Sequence, residues 1–119
     1  MRFCREASDK FTDGNFLICA RTDAKSVYGL EETIERSKRY IDSGAHMIFP
    51  EGLESKEEFA RVAKELREYK AEVLLLANMT EFGKTPYLDI NEFKDMGYNI
   101  VIYPVSTLRI ANKAVFEFL

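Results

Sequence analysis

Four short apolar runs, centred near Ile18, Ile48, Leu75 and Val101, recur along the chain at intervals of 30, 27 and 26 residues. That interval is the length of a strand, a crossover helix and two short loops, so it predicts parallel strands joined by helices. Phe16-Leu17-Ile18-Cys19-Ala20 reads as a strand buried on both faces. Met47-Ile48-Phe49, Val73 to Ala77 and Asn99-Ile100-Val101-Ile102-Tyr103 read as the other three. Between them lie amphipathic helices. The first runs from Gly29 to Tyr40, with Leu30, Ile34 and Ile41 at helical spacing and Gly44 placed for a left-handed cap. The second opens on a Ser55/Glu58 capping box and turns Phe59, Val62, Ala63 and Leu66 inward. A third starts at Asp89 with Glu92 and runs to Met96-Gly97, and a last one from Ser106 turns Leu108, Ala111, Val115 and Phe118 inward. Most of the Tyr and Phe side chains are expected in the core.

Such repeats build either an open doubly wound sheet or a barrel, and spacing alone does not choose between them. The 119 residues suffice for one core, so residues 1–119 are expected to form a single unit: an N-terminal segment, 1–14, then four βα units over 15–119. With 17 Lys and Arg against 20 Asp and Glu, neither sign supplies the long-range field of a nucleic-acid or anionic-membrane binder. A small discrete ligand is the expected partner. Cys4 and Cys19 have no C-x-x-C spacing and read as inert thiols in a reducing, cytosolic setting. No apolar run approaches bilayer length, and the first residues carry no signal-peptide core.

Each strand hands over at its C-terminal end to polar groups: Arg21 and Asp23, then Glu51, then Asn78 and Thr80, then Ser106. In a parallel α/β fold these ends share one rim, where loops converge while strand bodies stay rigid. The planar fork of Arg21 suits a carboxylate, and Asn78 and Thr80 add neutral donors, which points to a small anionic substrate. Plainer readings stand beside this one. Asp23 could hold a turn through backbone N–H groups, Glu51 could be a solvated loop carboxylate, and Arg21 could be spent on a structural salt bridge with either. His46, at a helix–strand turn, reads as a solvated imidazole. Gly83-Lys84-Thr85 lacks the frame of a phosphate-binding loop, and Asn78-Met79-Thr80 as a glycosylation triplet is empty in a cytosolic chain.

Ala20-Arg21-Thr22-Asp23-Ala24, Phe49-Pro50-Glu51, the loop from Asn78 to Pro86 and Tyr103-Pro104-Val105-Ser106 together resemble the later half of the isocitrate lyase and phosphoenolpyruvate mutase superfamily. The run Leu76-Ala77-Asn78-Met79-Thr80-Glu81-Phe82-Gly83-Lys84-Thr85-Pro86 is most similar to 2-methylisocitrate lyases. The resemblance implies an α/β fold of four parallel strand-helix units, the C-terminal half of a (β/α)8 TIM-type barrel. It also implies that Arg21 grips one substrate carboxylate and that Asn78 and Thr80 hold another. Glu51 would then stand beside the reacting oxygen as the catalytic group, with Phe49, Ile102 and Pro104 lining the pocket.

Mg2+ is the cofactor the family implies. The aspartates that bind it, and the family's Lys-Cys-Gly-His type loop, have no match in residues 1–15. Cleavage of a 2-hydroxy tricarboxylate to pyruvate and succinate needs a Lewis acid at the pyruvate end and a group that exchanges protons. The resemblance therefore carries the expectation of a fragment or split-gene portion, inactive alone, with its apolar inner face, Ile48 or Leu75, covered by a companion half-barrel or a second copy. Two alternatives stay open: another member of the superfamily acting on isocitrate, oxaloacetate or a phosphonate, and a non-catalytic, self-associating half-barrel.

Overall fold

A computed structural model describes residues 5–6, 9–10 and 15–119; Cys4 and most of the N-terminal segment lie outside them. The elements alternate strictly: β1 (Cys19–Thr22), α1 (Lys25–Asp42), β2 (Met47–Pro50), α2 (Lys56–Tyr69), β3 (Leu74–Asn78), α3 (Ile90–Asp95), β4 (Ile100–Ile102) and α4 (Ser106–Phe118). All neighbouring strands pair parallel, and their order in the sheet is their order in the chain. That order resolves what the spacing left open. Right-handed crossovers between successive neighbours keep helices on one face, whereas a doubly wound sheet reverses direction and covers both.

The register shows which face is which. Ala20 pairs with Ile48 and Ile48 with Leu75, and all three pack with the helices, joined by Ala77, Phe59, Val62 and Leu66. Ile48 and Leu75 are fully buried there. They are therefore not on the uncovered face as the sequence suggested: pleating turns successive side chains to opposite sides. The open face carries Cys19, Arg21, Leu74, Leu76 and Ile100 instead.

The first strand also begins later than its apolar residues do. Phe16 and Leu17 are exposed, pairing starts at Cys19, and β1 alternates exposed and buried residues rather than being buried on both faces. α1 starts before Gly29 and is interrupted there, where the backbone turns to φ 86°, a region open to glycine. Its buried Thr33 and Ser37 donate their hydroxyls to Gly29 O and Thr33 O one turn back, so no polar hydrogen is stranded. Gly44 adopts the expected left-handed conformation. α2 buries the four residues predicted for it, and Ser55 Oγ accepts from Glu58 N. Glu58 reaches past the cap to accept from Glu54 N, whereas at α3 the Asp89/Glu92 box closes in both directions.

Two expectations of burial fail. α4 forms where expected but buries none of its residues: Leu108, Val115 and Phe118 are exposed, not turned inward, and Ala111 with them. The aromatic residues divide, with Phe49, Phe59, Phe93 and Tyr98 inside and Phe16, Tyr28, Phe82, Tyr87, Phe116 and Phe118 outside. An apolar stripe records what a helix is suited to bury, and nothing in the described residues lies over this one.

His46 is not the solvated imidazole of the sequence reading. Its Nδ1 accepts a hydrogen bond from Ile18 N at 3.0 Å, and Met47 N and His46 N both reach Ile18 O, which locks the entry of β1 to that of β2. Partial burial, then the nearby Arg5 charge, push its pKa below the ordinary imidazole value. The neutral form is the one that can accept. The contact is therefore present above about pH 6.5, the unfolded value, and is lost as pH falls through the lower folded value. Titration followed by NMR should give His46 a pKa below 6.5, with the Ile18 amide shifting on the same curve; independent titration of the two would contradict the bond.

Candidate active-site rim

The residues that end the strands meet at one place. Arg21 leaves β1 and lays its guanidinium over the Phe49 ring, 5.0 Å from the centroid, because the two residues are paired in register and share a face. Its Nη2 and Nε hold Asp23 at 2.7 and 3.0 Å, and Nη2 stands 3.6 Å from Glu51 Oε2. That oxygen also accepts from Asn78 Nδ2 at 3.2 Å, and Asn78 Oδ1 in turn accepts from the Thr80 hydroxyl at 3.1 Å. Arg21, Glu51, Asn78 and Thr80 thus form a continuous polar line across the ends of β1, β2 and β3. Backbone pairing sustains it: Glu51 N donates to Thr22 O and Met79 N to Ile102 O, which carries the sheet one residue past β2 and β3.

Three members of the line, Glu51, Asn78 and Thr80, border a pocket of about 160 Å³ together with Leu53, Gly83 and Lys84 among others; Arg21 stands outside its lining. The donors of the line are not exhausted. An amide nitrogen has two hydrogens and Asn78 gives one to Glu51, the Thr80 hydroxyl can swing, and the Arg21 fork has N–H groups beyond those on Asp23. Such a set, around one carboxylate, suits a ligand with its own carboxylates and a hydroxyl. Hydrogen bonding to Asp23 raises the Arg21 pKa, and the same contact lowers that of Asp23, so both stay charged across the neutral range.

The sequence-derived residues sort as follows. Arg21, Glu51, Asn78 and Thr80 are brought together; Phe49 is buried under Arg21, Ile102 is half-buried opposite Asn78 in register, and Pro104 is exposed beyond β4. Arg21 contacts both candidate partners, Asp23 and Glu51. Asp23 does not cap the turn with its carboxylate; Thr22 Oγ1 takes the Ala24 N–H instead. Lys84 is exposed and stands 3.5 Å from Glu54. Cys19 is a free thiol whose pKa is raised by partial burial, which leaves it unactivated.

Glu81, Phe82 and Arg109 were missed. The Ser106 hydroxyl donates to the Glu81 carboxylate, Arg109 Nη1 donates to Glu81 O at 2.5 Å, and the Arg109 guanidinium lies 5.2 Å from the Phe82 ring centroid. The available signal was the spacing of Ser106 and Arg109, three apart and hence on one helical face directly after a strand.

A divalent cation finds no fit here. Among the described residues no three His, Cys, Asp or Glu side chains converge, and the two rim carboxylates, Asp23 and Glu51, both face the positive Arg21. No helix among them is long and apolar enough to cross a membrane.

Four parallel strands with alternating helices and polar groups gathered at the strand ends make an α/β architecture that matches one part of larger barrel enzymes. The chain belongs to the phosphoenolpyruvate phosphomutase family, whose model matches residues 2–118. It is 54% identical over 99 residues to a probable 2-methylisocitrate lyase of Corynebacterium glutamicum, covering 83% of this chain and 31% of that protein. It is 51% identical over 100 residues to the 2-methylisocitrate lyase of Bacillus subtilis, covering 84% and 32%. Among solved structures, 2,3-dimethylmalate lyase superposes with a TM-score of 0.85 at 35% identity, over 98% of this chain and 39% of that one. An oxaloacetate acetylhydrolase superposes at 0.83, also at 35% identity, over 98% and 39%. The chain thus spans about a third of the curated relatives it matches. The family and the barrel-type fold expected from the motifs are both borne out.

Proposed function

We propose that this rim is the substrate-holding part of a carbon–carbon lyase that cleaves 2-methylisocitrate to pyruvate and succinate. The observation that carries the reading is the Arg21–Glu51–Asn78–Thr80 line. Arg21 holds the carboxylate at the pyruvate end, and Asn78 and Thr80 hold a carboxylate of the succinate end. Phe49, Ile102 and Pro104 form the apolar wall. Glu51, the acceptor between the two grips, stands beside the substrate hydroxyl. Cleavage removes that hydroxyl's proton, turns the C–O bond into the pyruvate carbonyl and leaves the bonding pair on the succinate carbon, which is then protonated. Glu51 is the group in this chain placed to orient and accept the hydroxyl proton. Magnesium, implied by the family, falls to groups outside the described residues, and no step assigned here runs through it.

Identity near 50% to several 2-methylisocitrate lyases, against 39% to the 2,3-dimethylmalate lyase of Eubacterium barkeri, favours the first substrate. The test is a chimera: the matched 100-residue stretch of the Bacillus subtilis lyase is replaced by the corresponding stretch of this chain. The chimera should release pyruvate from 2-methylisocitrate with magnesium present, while the 119-residue chain alone should release none. A folded chimera without turnover, or turnover by the chain alone, would overturn the reading.

A further inference from the structure

We propose that Lys84 is a specificity-determining residue that takes the second carboxylate of the succinate end, reaching it by exchanging Glu54 for the ligand. The inference rests on the reading of Asn78 and Thr80 as a carboxylate grip.

A substrate with three carboxylates presents one more anion than the two grips can take. Arg21 serves the pyruvate end, and Asn78 with Thr80 serves one of the two carboxylates that leave in succinate. The other meets a pocket wall to which Glu51 and Glu54 contribute carboxylates of their own. An anion in that company needs a cation beside it. Lys84 is the one cationic side chain among the described residues that border the pocket.

The backbone sets Lys84 in place and leaves its side chain free. On one side Gly83 N donates to Thr80 O at 3.1 Å, so a tight turn brings the chain back to the grip. On the other the Thr85 hydroxyl donates to Leu53 O at 2.5 Å, which ties the same loop to the one that follows Glu51. Between these anchors the Lys84 side chain is 85% exposed, and its ammonium stands 3.5 Å from Glu54 Oε1. An ion pair so exposed and so long holds its lysine weakly.

Glu54 can give Lys84 up without being stranded. Its other oxygen, Oε2, lies 4.0 Å from Lys25 Nζ, and the Lys25 side chain is mostly buried with Glu58 at 3.0 Å as its closer partner. Glu54 N also donates to Glu58 at 2.8 Å, so its backbone stays where it is when its carboxylate turns. The exchange therefore swaps one carboxylate for another at Lys84 and leaves Glu54 beside a cation. A ligand with a methyl group at this position offers nothing to exchange. Lys84 thus separates a dicarboxylate from a monocarboxylate of the same length.

The test compares succinate with butyrate, which is succinate with one carboxylate replaced by a methyl group. Both are titrated into the 119-residue chain and its Lys84→Ala, Lys84→Gln and Lys84→Arg variants, with the Thr80 and Gly83 amide signals reporting binding. The unaltered chain should bind succinate about tenfold more tightly than butyrate, the effect of one charged contact at an exposed site. Lys84→Ala and Lys84→Gln should lose that preference by weakening succinate alone, and Lys84→Arg should keep it. A preference that survives in Lys84→Ala overturns the role. A loss that falls equally on both ligands overturns it as well, because it marks Lys84 as a prop for the loop. Equal binding of the two by the unaltered chain overturns this inference and leaves the grip standing, whereas binding of neither overturns the grip and the inference with it.

Discussion

Phe59→Ala is expected to cost about 3–5 kcal/mol of folding stability, most of what a domain of this size has to spare. Phe59 is 2% exposed on α2, and its ring meets the edges of Phe93 on α3 and Tyr98 at 5.2 and 5.6 Å. Phe93 and Tyr98 meet each other at 5.7 Å, so the three rings close a triangle of edge-to-face contacts. The triangle joins successive βα units at the point where α3 hands over to β4. The Tyr98 hydroxyl completes it by donating to Phe59 O at 3.2 Å. Truncating the central ring removes the apolar burial and leaves a cavity that two fixed neighbours cannot fill. Tyr98→Phe should cost only about 1 kcal/mol, the worth of one hydrogen bond. Urea denaturation of the three proteins checks the order; a Phe59→Ala loss no larger than that of Tyr98→Phe would show that the cluster does not join the units.

Asn78→Asp is expected to abolish carboxylate binding at the rim, weakening succinate by about a hundredfold or more, from the loss of a hydrogen bond to a charged group. The substitution hardly changes size, yet it turns the nitrogen that faces Glu51 at 3.2 Å into a second carboxylate oxygen. Two like charges then share the space between the grips, and an anionic ligand meets an acceptor where it had a donor. Asn78→Ala removes the donor without adding charge and should lose about ten- to a hundredfold. Calorimetric titration with succinate measures both. The sign also predicts a rescue: Asn78→Asp should regain affinity as acid neutralises the added pair, whereas Asn78→Ala should not.

The fold was legible wherever local periodicity and burial agree. Phe59, Val62, Ala63 and Leu66 lie at helical spacing, and the helix that carries them buries all four. Strand order was not legible, because spacing is the same whether successive strands are neighbours or not; register and pairing supplied it. Phe16, Leu17, Leu108 and Phe118 mark the limit on the other side, since apolarity states a preference for cover without naming what provides it.

The candidate site divides in the same way. Arg21, Glu51, Asn78 and Thr80 stood at strand ends, where a parallel fold collects its chemistry, and their motifs matched a family. Glu81 and Arg109 did not, because their meeting depends on the path of a loop from Thr80 to Leu88 and on the tilt of α4, neither of which any periodicity encodes. His46 was misread for a related reason. The partner that makes its imidazole an acceptor, Ile18 N, lies 28 residues away across the first crossover.

If the strand ends form a carboxylate grip, a crystal structure of the chain soaked in succinate or pyruvate will show the ligand there. The predicted result is an ordered carboxylate within hydrogen-bond distance of Asn78 Nδ2 and Thr80 Oγ1, or of the Arg21 guanidinium, with the Arg21–Glu51 contact adjusted around it. Rim density unchanged at saturating ligand, with Asn78 still bonded only to Glu51 and Thr80, would contradict the account.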